Sequence, residues 1–258
     1  MKKLKSVLTL ILVSALCLAL LAGCGSKAAS TWEDQLGNKG TLRVGISPDY
    51  PPYESYDKDG NIVGFDVAVA NYIAEQLGCK VELVPMAFDT IISAVNAGTV
   101  DVGISCFSYK ADRDVLFSDT YLTSSQAIVV AANSGITASS GLEGSTIGAG
   151  EGTTGLDAAN ALAETYPGIT VTTGDISVMM ESLKAGALKG VVTERPVAQS
   201  YADSNPGTFV VLDEELTKEE TKVIAKKGND LLMAEVNKAV VAFKADASYN
   251  ETIVTYFG

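Results

Sequence analysis

The chain has 258 residues, 47% of them hydrophobic and 24 of them glycine, which is enough for one or two packed domains and unlike a disordered composition. Its formal charge of −12, from 19 basic and 31 acidic side chains, leaves no room for the basic face that nucleic-acid binding needs. There is no histidine, so Ser-His-Asp and Cys-His triads and histidine-ligated metals are excluded. No cysteine pattern suggests zinc or redox work, and neither a metal nor a cofactor is expected.

Residues 1–23 read as a signal peptide. Lys2, Lys3 and Lys5 precede the fifteen-residue apolar run Val7 to Leu21, which is short for a membrane span and the right size for a signal core. The run ends in Leu21-Ala22-Gly23-Cys24, which resembles the bacterial lipobox. The resemblance implies cleavage before Cys24 and acylation of its thiol. Residues 24–39 would then be a lipidated tether, and the chain would be extracytoplasmic, held at the cell membrane by lipid on Cys24. The alternative is an ordinary secretory leader with an incidental cysteine. Cys79 and Cys106 remain. If the flanking runs Val81 to Val84 and Val100 to Ile104 are parallel strands, the two cysteines sit at opposite ends, roughly 15 Å apart. A disulfide needs Cα atoms within about 7 Å, so both are expected as free thiols.

Beyond the tether, strand-like runs alternate with helical patterns. The spacing predicts strand at Leu42 to Ile46, helix at Phe65 to Leu77, strand at Val81 to Val84, helix at Thr90 to Ala97 and strand at Val100 to Ile104. A second series follows, with strands at Ile128 to Ala132 and Thr146 to Ala149, helix at Thr154 to Thr165, strand at Thr170 to Thr173 and helix at Ile176 to Ala185. Strands at Val191 to Thr193 and Phe209 to Leu212 complete it, Pro196 suits the first turn of a further helix, and Asn229 to Ala245 reads as a closing helix. Such alternation marks a mostly parallel sheet flanked by helices, here in two units of similar size.

Gly150-Glu151-Gly152-Thr153-Thr154-Gly155 matches the glycine-rich turn of dinucleotide-binding folds, with Asp175 twenty residues on. Export, the mid-chain position of this unit and the absence of a hydride-transfer site weigh against a nucleotide. The physics still holds for another anion, since backbone N–H groups at a helix start attract a carboxylate as readily as a phosphate.

Gly40-Thr41-Leu42-Arg43-Val44-Gly45, Tyr50-Pro51-Pro52-Tyr53-Glu54, Gly64-Phe65-Asp66-Val67, Phe88-Asp89, Asp101-Val102-Gly103-Ile104, Arg113 with Phe117-Ser118-Asp119, Gly152-Thr153-Thr154 and the closing Tyr256-Phe257-Gly258 stand in a specific order and spacing. In these the chain resembles the polar amino-acid-binding proteins of ABC importers, a family that includes the glutamine-, histidine- and lysine/arginine/ornithine-binding proteins. The resemblance implies an α/β, two-lobed periplasmic-binding-protein-like fold of type II with a two-strand hinge. Lobe 1 would be 40–124 plus 219–258, and lobe 2 would be 125–218. It also implies a monomer that closes on a free amino acid and presents it to membrane permease subunits.

Carried over residue by residue, the resemblance makes Arg113 the grip on the ligand α-carboxylate, with Thr153 and Thr154 bonding the same group from the other lobe. Glu194 would pair with the α-ammonium, aided by Ser105 and Ser108. Tyr50 and Phe88 would wall the ligand side chain, with Tyr53 just behind, and Cys106 would stand at the pocket edge. Two departures matter. Glu194 replaces the usual aspartate, and Ser47 stands where the glutamine and basic amino-acid binders commonly carry aspartate. Without that carboxylate a buried cation would lose hydration with nothing in return, so a neutral polar ligand is expected to outrank lysine and arginine. Glu54 or Glu151 turned into the cleft would reverse that order. The rival readings are an exported enzyme resembling cyclohexadienyl dehydratases, which would need an acid of raised pKa in the cleft, and a ligand-sensing lipoprotein.

Overall fold

The computed structural model describes residues 31–258, so the leader, Cys24 and the first part of the tether lie outside the described residues. A 3-10 turn, Trp32–Gln35, leads into β1 (Thr41–Ile46), β2 (Asp49–Tyr50), β3 (Glu54–Tyr56), β4 (Ile62–Val63), α1 (Phe65–Gln76), β5 (Lys80–Pro85), α2 (Phe88–Ala97), β6 (Val102–Ser108) and β7 (Leu116–Phe117). There follow β8 (Leu122–Ala131), β9 (Thr146–Gly150), α3 (Thr154–Thr165), β10 (Thr170–Gly174), α4 (Ile176–Lys184), β11 (Gly190–Glu194) and α5 (Arg195–Ser204). The chain closes with β12 (Phe209–Val211), β13 (Lys218–Ala225), α6 (Asp230–Ala245) and α7 (Ala247–Phe257).

The main sheet runs β10-β9-β11-β8-β13-β6-β1-β5. At one end β5, β1 and β6 are parallel, and at the other β10, β9 and β11 are parallel. The long antiparallel strands β8 and β13 join these two lobes, pairing with each other through Leu122–Ser125 and Lys218–Thr221. Beyond that shared stretch β13 turns to β6 and β8 turns to β11. The central strands β6 and β11 are buried along their whole length, as strands covered on both faces must be. One lobe packs Leu42, Val44, Phe65, Val69, Ile73 and Val236 into its core, and the other packs Ile128, Leu142, Ile147, Leu162 and Val192.

The ends of the parallel strands position the site. Ser47 follows β1, Phe88 follows β5, Ser105 lies near the end of β6, and Gly150, Gly174 and Glu194 end β9, β10 and β11. All six face one cleft, at the carboxyl ends of the strands, where open α/β sheets hold their ligands. Gly64, at φ 141°, caps α1 where a Cβ would lie 2.1 Å from the Tyr53 carbonyl oxygen, so only glycine lets the β2–β4 hairpin close onto α1.

The alternation of strand and helix follows the expected order, but β8 starts at Leu122, six residues ahead of the expected Ile128, and other elements differ as well. β6 begins at Val102 and continues to Ser108, because pairing of Thr221 with Ser108 keeps that segment in the sheet. β13 and α7 occupy stretches where no strand or helix was expected, as does the small β2-β3-β4 sheet. Cys79 and Cys106 are free, as expected.

Candidate ligand cleft

A cavity lies between the two sets of strand ends. It is lined by Ser47, Tyr50, Phe88, Ser105, Cys106 and Ser108 from one side, with Arg113, and by Thr153, Thr154 and Glu194 from the other. The structure therefore brings all ten residues singled out in the sequence to one place. Cys106 sits at φ 50°, the left-handed region that a side-chain-bearing residue rarely adopts. The bend breaks the two-residue alternation of β6, so the neighbours Ser105 and Cys106 both reach the cavity. The Cys106 amide is held in the bend by Asp66 Oδ2 at 2.6 Å.

Arg113 is buried, 8% exposed, and forms no salt bridge with any described residue. Its guanidinium donates to the Ser108 carbonyl and, across the cleft, to the Gly152 carbonyl at 2.9 Å. The stacked rings of Phe88 and Phe107 support it, 5.7 and 5.2 Å from its Cζ. Burial lowers its pKa, as an uncompensated cation requires. Facing it is the start of α3. Gly152 takes φ 71° there, and the Thr153 hydroxyl caps the helix by accepting from the Leu156 amide at 3.1 Å while donating to the Gly150 carbonyl at 2.8 Å. Thr154 Oγ1 donates to Glu219 Oε2 and accepts from Gln126 Nε2. Both hydroxyl protons are thus engaged within the protein, and the donors this turn has for an anion are the first amides of α3.

Glu194, 2% exposed, accepts three hydrogen bonds from neutral donors: Tyr53 Oη at 2.8 Å, Ser124 Oγ, and Cys106 Sγ at 3.1 Å. Burial pushes its carboxyl up from 4.5 to about 7 against the pull of those donors. Tyr50 ties the same corner shut, its hydroxyl taking the Thr193 hydroxyl at 2.9 Å and the Glu194 amide at 3.2 Å. Tyr53 stacks behind Tyr50 at 6.0 Å between centroids.

Beneath Ser105 lies a pair of buried acids that sequence reasoning did not join. Glu54 accepts from Ser105 Oγ at 2.7 Å, and Asp66 holds the Cys106 amide and the Tyr121 hydroxyl. Burial and the charge of Asp66 push Glu54 well above the usual carboxylate range, and burial raises Asp66 to about 6. Glu54 and Asp66 also bond to each other, and Ser108 Oγ is buried in the cavity wall without a hydrogen-bond partner among the described residues.

Ser47 corrects one premise. Its hydroxyl donates to Asp49 Oδ1 at 3.0 Å, so a carboxylate stands at this end of the cleft although Ser47 is not one. Asp49, half-buried, lines the cavity together with Glu54, Asp89, Glu151 and Asp175. Burial and the charge of Asp175 raise its pKa, while the Ile176 amide at the start of α4 pulls it back. The signal was the acid two residues after Ser47, on a hairpin whose turn brings it back beside that serine.

The model of the bacterial extracellular solute-binding proteins, family 3, matches residues 42–258. The chain belongs to this family. Among its relatives in the family, the L-cystine-binding protein TcyJ of Escherichia coli K12 is 28% identical over 256 residues, covering 96% of this chain and 94% of that one. The arginine-binding extracellular protein ArtP of Bacillus subtilis 168 is 32% identical over 235 residues, covering 90% of each. An ancestral arginine-binding protein bound to arginine superposes with a TM-score of 0.80 at 36% identity, covering 85% of this chain and 99% of that one. The two-lobed fold and an amino-acid-binding family membership are thereby shared.

Proposed function

We propose that this family 3 protein is the extracytoplasmic substrate-binding protein of an amino-acid ABC importer, closing on a free L-α-amino acid and handing it to permease subunits. The observation that carries the reading is Arg113, a buried guanidinium without a salt-bridge partner among the described residues that faces the amides of α3 across a cavity with Glu194 also in its wall. A carboxylate and an ammonium on one carbon satisfy both charges at once. The lobes would be 40–124 plus 219–258 and 125–218, hinged where β8 and β13 pair, with Tyr50, Phe88, Ser105 and Ser108 completing the grip. Cys24 would carry the lipid that keeps the protein beside its permease. The amino-acid-binding names of the relatives support the binding part of this reading.

A general acid on the same fold is the competing chemistry, and Glu194 at about 7 is the observation in its favour. Its three donated hydrogen bonds oppose that role, because they stabilise the carboxylate rather than the acid. A melting panel of the full chain against the twenty amino acids and cystine tests the assignment. A bound ligand at a hundredfold excess over Kd adds about 2.7 kcal/mol, or several degrees. No shift at millimolar concentration, with water eliminated from a hydroxylated cyclohexadiene acid, would replace binding by catalysis.

A further inference from the structure

Six carboxyl groups line the cleft, Asp49, Glu54, Asp89, Glu151, Asp175 and Glu194, against one basic side chain among the described residues, Arg113. A zwitterionic amino acid with a neutral side chain matches Arg113 and Glu194 and leaves the others unanswered. Asp49, Asp89, Glu151 and Asp175 form no salt bridge with a described lysine or arginine. The acids acting on Arg113 are a different set, Asp112, Asp157 and Glu219. The charge of Asp175 acts on Asp49, and the Glu151 amide is bonded to the Gly174 carbonyl, so the exposed acids Glu151 and Asp175 flank adjoining strand ends in the cavity wall. Ser108 Oγ, buried in the same wall without a hydrogen-bond partner among the described residues, leaves a polar group for a ligand to meet.

We infer that the ligand side chain ends in a positive charge, an ammonium or a guanidinium, received by Asp49 with Asp175 beside it. The inference rests on the amino-acid reading above and names its substrate class. Asp49 is the specificity-determining residue. Its Oδ1 is oriented by the Ser47 hydroxyl, and a carboxylate has lone pairs to spare for a further donor. Like-charged carboxylates brought together by closure repel one another, and a cation between them turns that repulsion into attraction. A neutral amide side chain would leave them unpaired, and a disulfide-linked second amino acid would bring a carboxylate together with its ammonium, for no net positive charge.

Calorimetry on the full chain, purified in detergent, with L-arginine, L-lysine, L-glutamine and L-cystine at pH 7.5 tests this. L-arginine or L-lysine is expected to bind at least tenfold tighter than L-glutamine and L-cystine, and Asp49→Asn should cut the ratio of cation to glutamine affinity tenfold or more. Tighter binding of L-glutamine or L-cystine than of both cations overturns the inference and leaves the amino-acid reading standing, as does an unchanged ratio in Asp49→Asn. If none of the four binds at millimolar concentration, both fall. Should Asp49→Asn not fold, the wild-type ratio and the same ratio in Asp175→Asn decide the matter.

Discussion

Arg113 and Glu194 are opposite solutions to one problem, a charge held out of water before its partner arrives. Arg113 keeps its charge with two carbonyls and two aromatic faces. Replacing it with alanine should weaken amino-acid binding by about 2 to 5 kcal/mol, because the carboxylate would be buried half-paired. Arg113→Lys should recover only part, since a point charge lacks two parallel bonds. Calorimetry finding both variants near wild type would remove Arg113 from the site. Glu194 instead takes up a proton as pH falls below about 7. Its folded pKa of about 7 exceeds its ordinary 4.5, so the folded protein binds a proton that the unfolded chain releases between those values. The unliganded protein should therefore lose stability as pH rises from about 4.5 to about 7, by up to about 3 kcal/mol from this group, whose own contribution levels off above. Asp66, at about 6, adds to the lower part of that fall. Melting temperatures across this range should decline less steeply in Glu194→Gln, and parallel curves would refute the assignment.

At the level of elements, α3 serves both fold and site. Thr153 is its N-cap, so Thr153→Ala should destabilise the protein by about 1 kcal/mol in denaturant titrations, while Thr153→Ser should be close to neutral. Equal stability of the alanine variant would show that the cap is dispensable. The turn that opens α3 was legible because its glycines and threonines have local meaning. Strands such as β1 and β11 were legible for a similar reason, as apolar runs at strand ends. β13 was not. Lys218 to Lys222 is a run of charged and polar residues whose buried members, Glu219 and Thr221, are themselves polar, so no apolar alternation marks it. α7 has no fully buried residue, and it leans on the core only through side chains such as Tyr249, Ile253 and Phe257. In the site, the ten residues were readable through resemblance to a family. The partners of Glu194 were not, because Tyr53, Ser124 and Cys106 come from three separate segments that only the tertiary fold brings together.

For the molecule as a whole, the contacts across the cleft describe a closed form. Arg113 reaches Gly152, Lys110 pairs with Asp157 at 2.8 Å, and Tyr201 donates to the Asp49 carbonyl at 3.3 Å. A ligand that touches both lobes only when they are shut biases the molecule towards this form by its differential contacts. The anchor belongs to the same scale. Cys24→Ala should move the protein from the membrane fraction to the soluble one, and unchanged fractionation would remove the lipid tether. The central claim is that the cleft grips the α-carbon substituents of a free amino acid. It is tested most directly by calorimetry of the full chain with L-arginine and L-glutamine beside their α-amides and Nα-acetyl derivatives. Whichever free amino acid binds should do so with one site per chain, and blocking either α group should abolish it, since one derivative strands Arg113 and the other strands Glu194. A blocked derivative that binds as tightly as its parent, or no binding by either amino acid at millimolar concentration, would contradict the account.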